Sequence, residues 1–372
     1  MNLLLFNLVT DLDHPILGFT SHWIRELAAR VDSVEVITMR RGRVQAPENV
    51  RVHSVGAERG YSEPRRVFEF YRILSGILGR GRIDGCFAHM APEFAILAGP
   101  VLRAKRIPLV TWYAHPSLHW RVKLAHVFSH QMVASLPNAY PWKKDKLTVI
   151  GQGIDTTLFA PDGTPEENDL VLCVGRVSAV KDHATLLRAA ALLRRPARVV
   201  VLGQTAGPED EAYLLDLGRL AAELGIAVRV TFAKGVPPAE LPSWYRRCAA
   251  HVNLTPAGFG DKVAWEAMAC ARPCLVANVD FAPTLGRFEN DLLFRVHDVA
   301  DLAAKLDNVL AQSAEQRAAM GQYLRGQVER WHSLPRLAEQ VLEQLRRFAP
   351  CGAATRRRVS RAARLAMEGN HG

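Results

Sequence analysis

Short runs of continuous apolar, β-branched residues alternate with longer stretches of helical period along nearly the whole chain. In the first part "MNLLLFNLV", "SVEVITMR", "VRVHSV", "GCFAHM" and "PLVTWYAH" read as strands. "FTSHWIRELAARV", "VFEFYRILSGIL" and "PEFAILAGPVLRAKR" read as the helices between them, and "HQMVASLP" and "KLTVIGQGI" close the unit. A strand that is apolar on both sides must be buried on both faces, and a parallel sheet between two helix layers provides that environment. The alternation breaks at "DTTLFAPDGTPEEND", residues 155–169, a polar stretch with Pro and Gly. It then restarts with "LVLCVGRV", "ARVVVLGQ", "VRVTFAKG", "AHVNLTP", "CLVAN" and "DLLFRV" as strands, and ends in two long helices expected over about 299–312 and 314–348. The expected architecture is α/β, with two doubly wound parallel-sheet domains facing a cleft. The expected boundaries are 1–160 and 161–335, with a helix at 336–350 returning to the first domain and a tail at 351–372. Ligands of such sheets bind at the carboxyl ends of the strands, so the cleft is the expected site.

Two stretches carry chemistry. In "VLCVGRVSAVKDHATLLRAA" (171–190) a strand ends at Gly175, and Arg176 and Lys181 follow on the loop that feeds a helix. Two cations and the free N–H groups of a helix start form an anion site suited to a diphosphate. Solvated cations would give the same local pattern. In "GFGDKVAWEAMACARPCLVAN" (258–278) one carboxylate, Glu266, stands at the head of a run of small and apolar residues. There it can accept two hydroxyl hydrogen bonds, as from a ribose, beside the free N–H groups from Val263 onward. The alternative is that Glu266 only complements the helix dipole.

Taken together, "VGRVSAVKD", "GQGIDTTLF" and the 258–278 stretch resemble the three hallmark segments of retaining GT-B glycosyltransferases of glycosyltransferase family 4, in the family's order. The resemblance covers most of the chain. It implies a GT-B fold of two Rossmann-like domains, an N-terminal acceptor domain and a C-terminal donor domain. It implies sugar transfer from a UDP- or GDP-linked nucleotide-sugar to a glycan, lipid-linked or small-molecule acceptor, with retention, no metal and no cofactor. By that similarity Gly175, Arg176 and Lys181 hold the donor diphosphate and Glu266 binds the ribose. Gly18 and Phe19, in "LDHPILGFTSHWIRELA", form a glycine loop near the phosphates. His115, in "VTWYAHPSLHW", contacts the donor sugar and orients the reacting centre, so the catalytic set is His115, Arg176 and Lys181. His89, in "CFAHMAPEF", is a candidate for the acceptor side or a structural residue at a strand end.

The chain departs from the family at one position. The first of two glutamates spaced by seven residues would fall at 258, which is Gly258. That acid contacts the donor sugar in the family. Phe259, Asp261, Lys262, Val263 and the backbone of 258–262 remain to shape the donor site, with Asp261 a candidate for part of the missing role. A nucleotide-sugar-binding protein without turnover is therefore an open alternative, as is an epimerase or phosphorylase of the same architecture.

Charge bears on the partner. Of the net +10 in 372 residues, residues 1–150 hold 20 Lys/Arg against 12 Asp/Glu, and 151–350 hold 22 against 24. A basic first domain fits an anionic membrane surface or an acceptor with phosphate groups. Nucleic acid would also answer to the charge, but no RNP-like, helix-turn-helix or zinc signature accompanies it, and none is expected as a partner. The tail "TRRRVSRAARLAMEGN" can be drawn as a weak surface-seeking helix or as a basic disordered tail. No apolar run approaches the roughly 20 residues needed to span a bilayer. The start meets Asp11 early, without a basic leader, and reads as a buried strand. Six scattered cysteines without a CxxC pair point to free thiols in a reducing cytoplasm. The expected location is cytoplasmic, or peripheral at the inner face of the cytoplasmic membrane. His115/His119 and His126/His130 have helical spacing but no accompanying Cys or carboxylate cluster, so no metal site is expected.

Overall fold

The computed structural model describes residues 1–14 and 17–349. The first sheet has seven strands: β1 (Asn2–Thr10), β2 (Ser33–Arg41), β3 (Val50–Ser54), β4 (Gly85–His89), β5 (Leu109–Trp112), β6 (Gln131–Ala134) and β7 (Leu147–Val149). The second has five: β8 (Glu167–Val174), β9 (Arg198–Leu202), β10 (Val230–Ala233), β11 (Cys248–Asn253) and β12 (Cys274–Val276). Their orders are β3-β2-β1-β4-β5-β6-β7 and β10-β9-β8-β11-β12. Every named pairing is parallel. The central strands β4, β5, β6 and β11 are buried at every residue, as unbroken apolar runs require.

Strand order reverses between β1 and β4 in one sheet and between β8 and β11 in the other. Loops leaving these paired strands diverge to opposite faces and leave a crevice at the carboxyl ends. The loop after β1 carries Gly18, the loop after β8 carries Gly175 to Lys181, and the loop after β11 carries Gly258 to Asp261.

Helices cover both faces of the first sheet. Trp23 and Leu27 of the helix Thr20–Ala28 join Leu337, Val341 and Leu345 of the last helix on one face. Phe70, Leu74, Phe94 and Leu102 fill the other. Each such side chain, fully buried, stabilises the fold by roughly 1.5–3 kcal/mol relative to exposure.

Three sequence expectations need correction. The stretch 314–348 is two helices, Ala314–Trp331 and Leu334–Phe348, broken at His332–Ser333. Pro335 lacks the N–H that a continuous helix would donate to residue 331. The break is where the chain returns to the first domain: Ile154 N donates to His332 O at 2.7 Å and Leu334 N to Ile154 O at 2.8 Å. "DLLFRV" is not a strand. Glu289–Leu292 form a helical turn, Leu293 N is spent on Glu289 O, and a single bridge joins Leu293 to Val276. A helix, Trp120–Phe128, follows β5 where the sequence reading had none. The basic tail lies outside the described residues. No helix among the described residues is long and apolar enough to cross a membrane.

Candidate active site

A cavity of about 380 Å³ opens between the carboxyl ends of the two sheets. Gly18 and Phe19 line it from the first domain, Gln152 and Asp155 from the crossover segment, and Lys262 and Glu266 from the second domain. At Gly18 a Cβ would lie 2.8 Å from His14 O and 2.9 Å from Leu12 O, so the turn after β1 closes only on a residue without a side chain.

The anion-binding candidates sit at the β8/β11 switch point. β8 ends at Val174, and Gly175 follows with φ +143°, outside the range comfortable for a side chain. The Lys181 side chain folds back over Gly175, with Nζ 3.9 Å from where a Cβ would stand. Its ammonium contacts Asp261 Oδ2 and lies 3.1 Å from Thr255 Oγ1. Asp261 Oδ2 also accepts from Thr255 Oγ1 and Asn253 Nδ2, both at 2.7 Å. Burial works against the Asp261 charge. The Lys181 ammonium and the hydrogen bonds from Lys181, Asn253 and Thr255 outweigh it and hold the carboxyl below its usual range. With Oδ2 committed to three donors, Asp261 anchors Lys181. Arg176 is half-exposed, its Nε 3.7 Å from Asp210 Oδ2. This is a loose pairing in water that leaves the guanidinium available to a stronger anion.

Glu266 is not at the head of its helix. The helix is Lys262–Ala269 with Asp261 as N-cap, so Glu266 stands in its second turn and is buried. The N–H groups lacking a helical partner are those of the first turn, Lys262 and Val263 among them. Glu266 Oε2 accepts from the Tyr245 hydroxyl at 3.0 Å, and Oε1 is 3.4 Å from Lys262 Nζ. A carboxylate has about four acceptor sites, so two partners leave capacity on the side that faces the cavity. Burial, then the Glu266 charge, pushes the Tyr245 phenol well above its usual range, so Tyr245 stays a donor. Lys262 Nζ also lies 4.8 Å from the centre of the Phe19 ring, a cation–π contact across the cleft.

The donor loop presses on the first domain. The His115 ring meets Phe259 edge to face with centroids 5.6 Å apart. His115 Nδ1 accepts from Ser117 N at 3.1 Å, so the neutral ring carries its proton on Nε2. Burial, with help from His119, holds its pKa below the usual value. Gly258 has φ +90°, and a Cβ there would lie 3.1 Å from Pro116 Cβ and 3.2 Å from Asn138 O. Asn138 Nδ2 donates to Asp280 Oδ1 at 2.7 Å, a hydrogen bond between the domains.

His89 does not line the cleft cavity. It is buried at 4% exposure among Phe19, Trp23 and Trp112, and its Nδ1 lies 3.3 Å from Asn7 Oδ1. Burial drives its pKa down to about 3, which marks a neutral structural imidazole. His126 faces Tyr140 and His130 accepts from Leu109 N, so those two point to different partners.

Sequence reading missed Tyr245, Asn253, Thr255, Asp280 and Gln152. The polar end of "AHVNLTP" was the available signal for Asn253 and Thr255, because a polar residue closing a buried strand needs a partner. Nothing local distinguished Tyr245 or Asp280.

Comparisons with known proteins agree with this architecture. The family described as Glycosyltransferase Family 4 matches residues 19–158, and that described as Glycosyl transferases group 1 matches residues 155–327. The D-inositol 3-phosphate glycosyltransferase of Thermomonospora curvata is 36% identical over 197 residues, 46% of this chain and 45% of that protein. The protein of that name from Thermobifida fusca is 35% identical over 200 residues, 48% and 45% of the two chains. The chain thus spans about half the length of the curated relatives it matches. Among solved structures, Anabaena Alr3699/HepE in complex with UDP superposes with TM-score 0.72 at 15% identity, covering 93% of this chain and 99% of that one. Sucrose-phosphate synthase from Thermosynechococcus elongatus gives 0.72 at 18% identity, covering 92% and 98%. Both likenesses bear on the fold. With its first half matching one description and its second half the other, the chain belongs to the family 4, group 1 glycosyltransferases and has their GT-B fold.

Proposed function

We propose that this chain transfers a sugar from a nucleoside-diphosphate sugar, UDP-linked, to a glycan, lipid-linked or small hydroxyl acceptor. One observation carries the reading: Asp261 holds the Lys181 ammonium at the β8/β11 switch point, and the helix that Asp261 caps carries Glu266 into the cleft. A diphosphate on Lys181 and Arg176 and a ribose on Glu266 use both groups at once. UDP is favoured because similar folds have been solved with it.

In this reading the bond between the sugar's C1 and the diphosphate oxygen breaks as C1 bonds to the acceptor oxygen. The acceptor proton passes to the departing phosphate, on the face it leaves, so configuration is retained. The chain's residues stabilise the charge that develops on the leaving group. Lys181, Arg176 and the first-turn N–H groups of Lys262–Ala269 are the candidates, in place of a metal. His115 offers its Nε2–H toward the sugar. Closure of the domains around the donor excludes water and limits hydrolysis.

The acceptor is proposed to lie at or near an anionic surface, at the inner face of the cytoplasmic membrane. Phe68 is 66% and Trp120 63% exposed on the basic first domain, and exposed aromatics beside arginines suit a lipid interface. Binding to vesicles containing anionic lipid, but not to zwitterionic ones, is the expected result. Equal indifference to both would remove this part.

The test is calorimetry and thermal shift with UDP, GDP, ADP and their sugar conjugates, on wild type and Glu266→Ala. Selective binding of UDP, lost in Glu266→Ala, is expected, with sugar release on adding acceptor. Folded protein that binds none of them would sink the proposal. Binding without turnover on any acceptor would support the second reading, a nucleotide-sugar-binding protein, which Gly258 in place of the first acid favours.

A further inference from the structure

Two buried side-chain oxygens approach the donor loop from the first-domain side without a hydrogen-bond partner. Ser135 Oγ, just past β6, belongs to a fully buried residue, and Gln152 Oε1 sits on the crossover segment. Both point at the same place: a Cβ built on Gly260 would lie 2.2 Å from Ser135 Oγ and 3.2 Å from Gln152 Oε1. A third unpartnered acceptor, Asn253 Oδ1, lies on the second-domain side, on the residue whose amide holds Asp261. Leaving a buried polar atom unpaired costs about 1–3 kcal/mol. Three such acceptors near one loop call for a partner from outside the chain, a ligand group or an ordered water.

Of the three, Gln152 alone also lines the cleft cavity. Its carboxamide offers two donors and an acceptor, the set that a pair of sugar hydroxyls matches. Its position fixes which part of a ligand it meets. Gly260 immediately precedes Asp261, and consecutive Cα atoms are about 3.8 Å apart. A group against Gly260 therefore meets the same loop that carries the carboxylate holding the Lys181 ammonium. The acid that would otherwise serve the sugar is missing: position 258 is a positive-φ glycine at which a Cβ would press on Pro116 and Asn138.

We propose that Gln152 reads the hydroxyls of the transferred sugar and determines which sugar conjugate is accepted, doing from the crossover segment what residue 258 cannot do from the donor loop. The inference rests on the nucleotide-sugar reading above and adds the residue that sets sugar identity. The crossover position has a consequence: a ligand bound by Gln152 and by Lys181 spans both domains, so sugar recognition and domain closure are one event.

The test is calorimetric titration of the full chain with UDP, UDP-glucose, UDP-galactose and UDP-N-acetylglucosamine. Wild type, Gln152→Ala and Gln152→Glu are compared, with melting curves to check folding. UDP affinity is expected to stay within about twofold in both variants, while the wild-type preference among the sugar conjugates falls by about tenfold or more, the scale for an unmatched polar group in a binding site. Gln152→Glu keeps the size of the side chain, so it carries the test if the alanine variant does not fold. UDP binding with an unchanged sugar preference in the folded variants would overturn this inference and leave the donor site standing. So would a wild type that treats all sugar conjugates alike. A wild type that binds no nucleoside diphosphate would overturn both.

Discussion

The Lys181 ammonium rests on Oδ2 of Asp261, 80 residues further along the chain, and ties the loop after β8 to the loop after β11. The pair is mostly shielded from water and is backed by Asn253 and Thr255. It fixes a lysine between the two loops, where the proposed donor diphosphate would lie. Replacing Lys181 by alanine removes that charge at the leaving group. By analogy with loss of one oxyanion donor, kcat/KM is expected to fall about 10²–10³-fold. Steady-state product formation measures it, and Lys181→Arg should recover part of the rate.

The same pair predicts a pH dependence of stability. The Asp261 carboxyl is held below its usual range in the folded chain, whereas an unfolded aspartate titrates near 3.9. A depressed folded value adds stability that is fully present above the unfolded value and is lost as pH falls through the folded one. Asp261→Asn leaves Lys181 uncompensated and should cost about 3 kcal/mol or more at pH 7. The gap in Tm between wild type and Asp261→Asn should therefore be widest near neutrality and close below about pH 4. A gap that is constant from pH 7 to 3 would contradict the charge pairing.

Glu266 and Tyr245 separate binding from support. Glu266→Ala deletes the proposed acceptor for two ribose hydroxyls, each hydrogen bond to a charged group being worth about 1.5–3 kcal/mol. UDP affinity is expected to drop by about 10²-fold or more. Tyr245→Phe removes only the hydroxyl that donates to Oε2, so UDP affinity should fall less than about tenfold, with a lower Tm. Calorimetry on the two variants distinguishes them. Equal losses would mean that Glu266 is structural.

His115 should act as a neutral imidazole. Burial and the neighbouring His119 lower its pKa, so protonation begins at a lower pH than for a free histidine near 6.5. The kcat profile is expected to stay flat below pH 6.5 before falling. His119→Ala removes a like charge and should move that acid limb upward. A limb that does not move in His119→Ala would show that it belongs to another group.

What was legible in the sequence follows from the range of the forces involved. Unbroken apolar runs such as "GCFAH" and "QMVA" announce parallel strands because burial on both faces is decided locally. Lys181 and Glu266 stood out because a cation on a strand-to-helix loop and a lone carboxylate in a run of small apolar residues are local patterns, although Glu266 lies in the second turn of its helix and not at its head. The Lys181–Asp261 contact was not, since nothing near residue 181 announces residue 261. His89 stayed open between two readings because a histidine at a strand end looks alike whether it faces a cleft or a cluster of aromatic rings. A helix returning to the first domain was expected at 336–350, but the break itself, at His332–Ser333, was not placed because the helical period continues on both sides of it.

Gly258 tests whether the departure from the family pattern is built into the fold. A glutamate there would restore the family's first acid, so a purely chemical view predicts more activity. The geometry predicts the reverse. A residue with a Cβ at φ +90° is strained by roughly 1–2 kcal/mol, and that Cβ would press on Pro116 Cβ and Asn138 O. Those atoms belong to the first domain, so the strain falls on domain closure. Gly258→Ala is expected to raise the KM for donor and lower the Tm, and Gly258→Glu to do both more strongly. UDP binding at Glu266, on the second domain, should weaken less than turnover. A Gly258→Glu variant with wild-type Tm and higher kcat/KM would show that this loop can be rebuilt without the first domain resisting it.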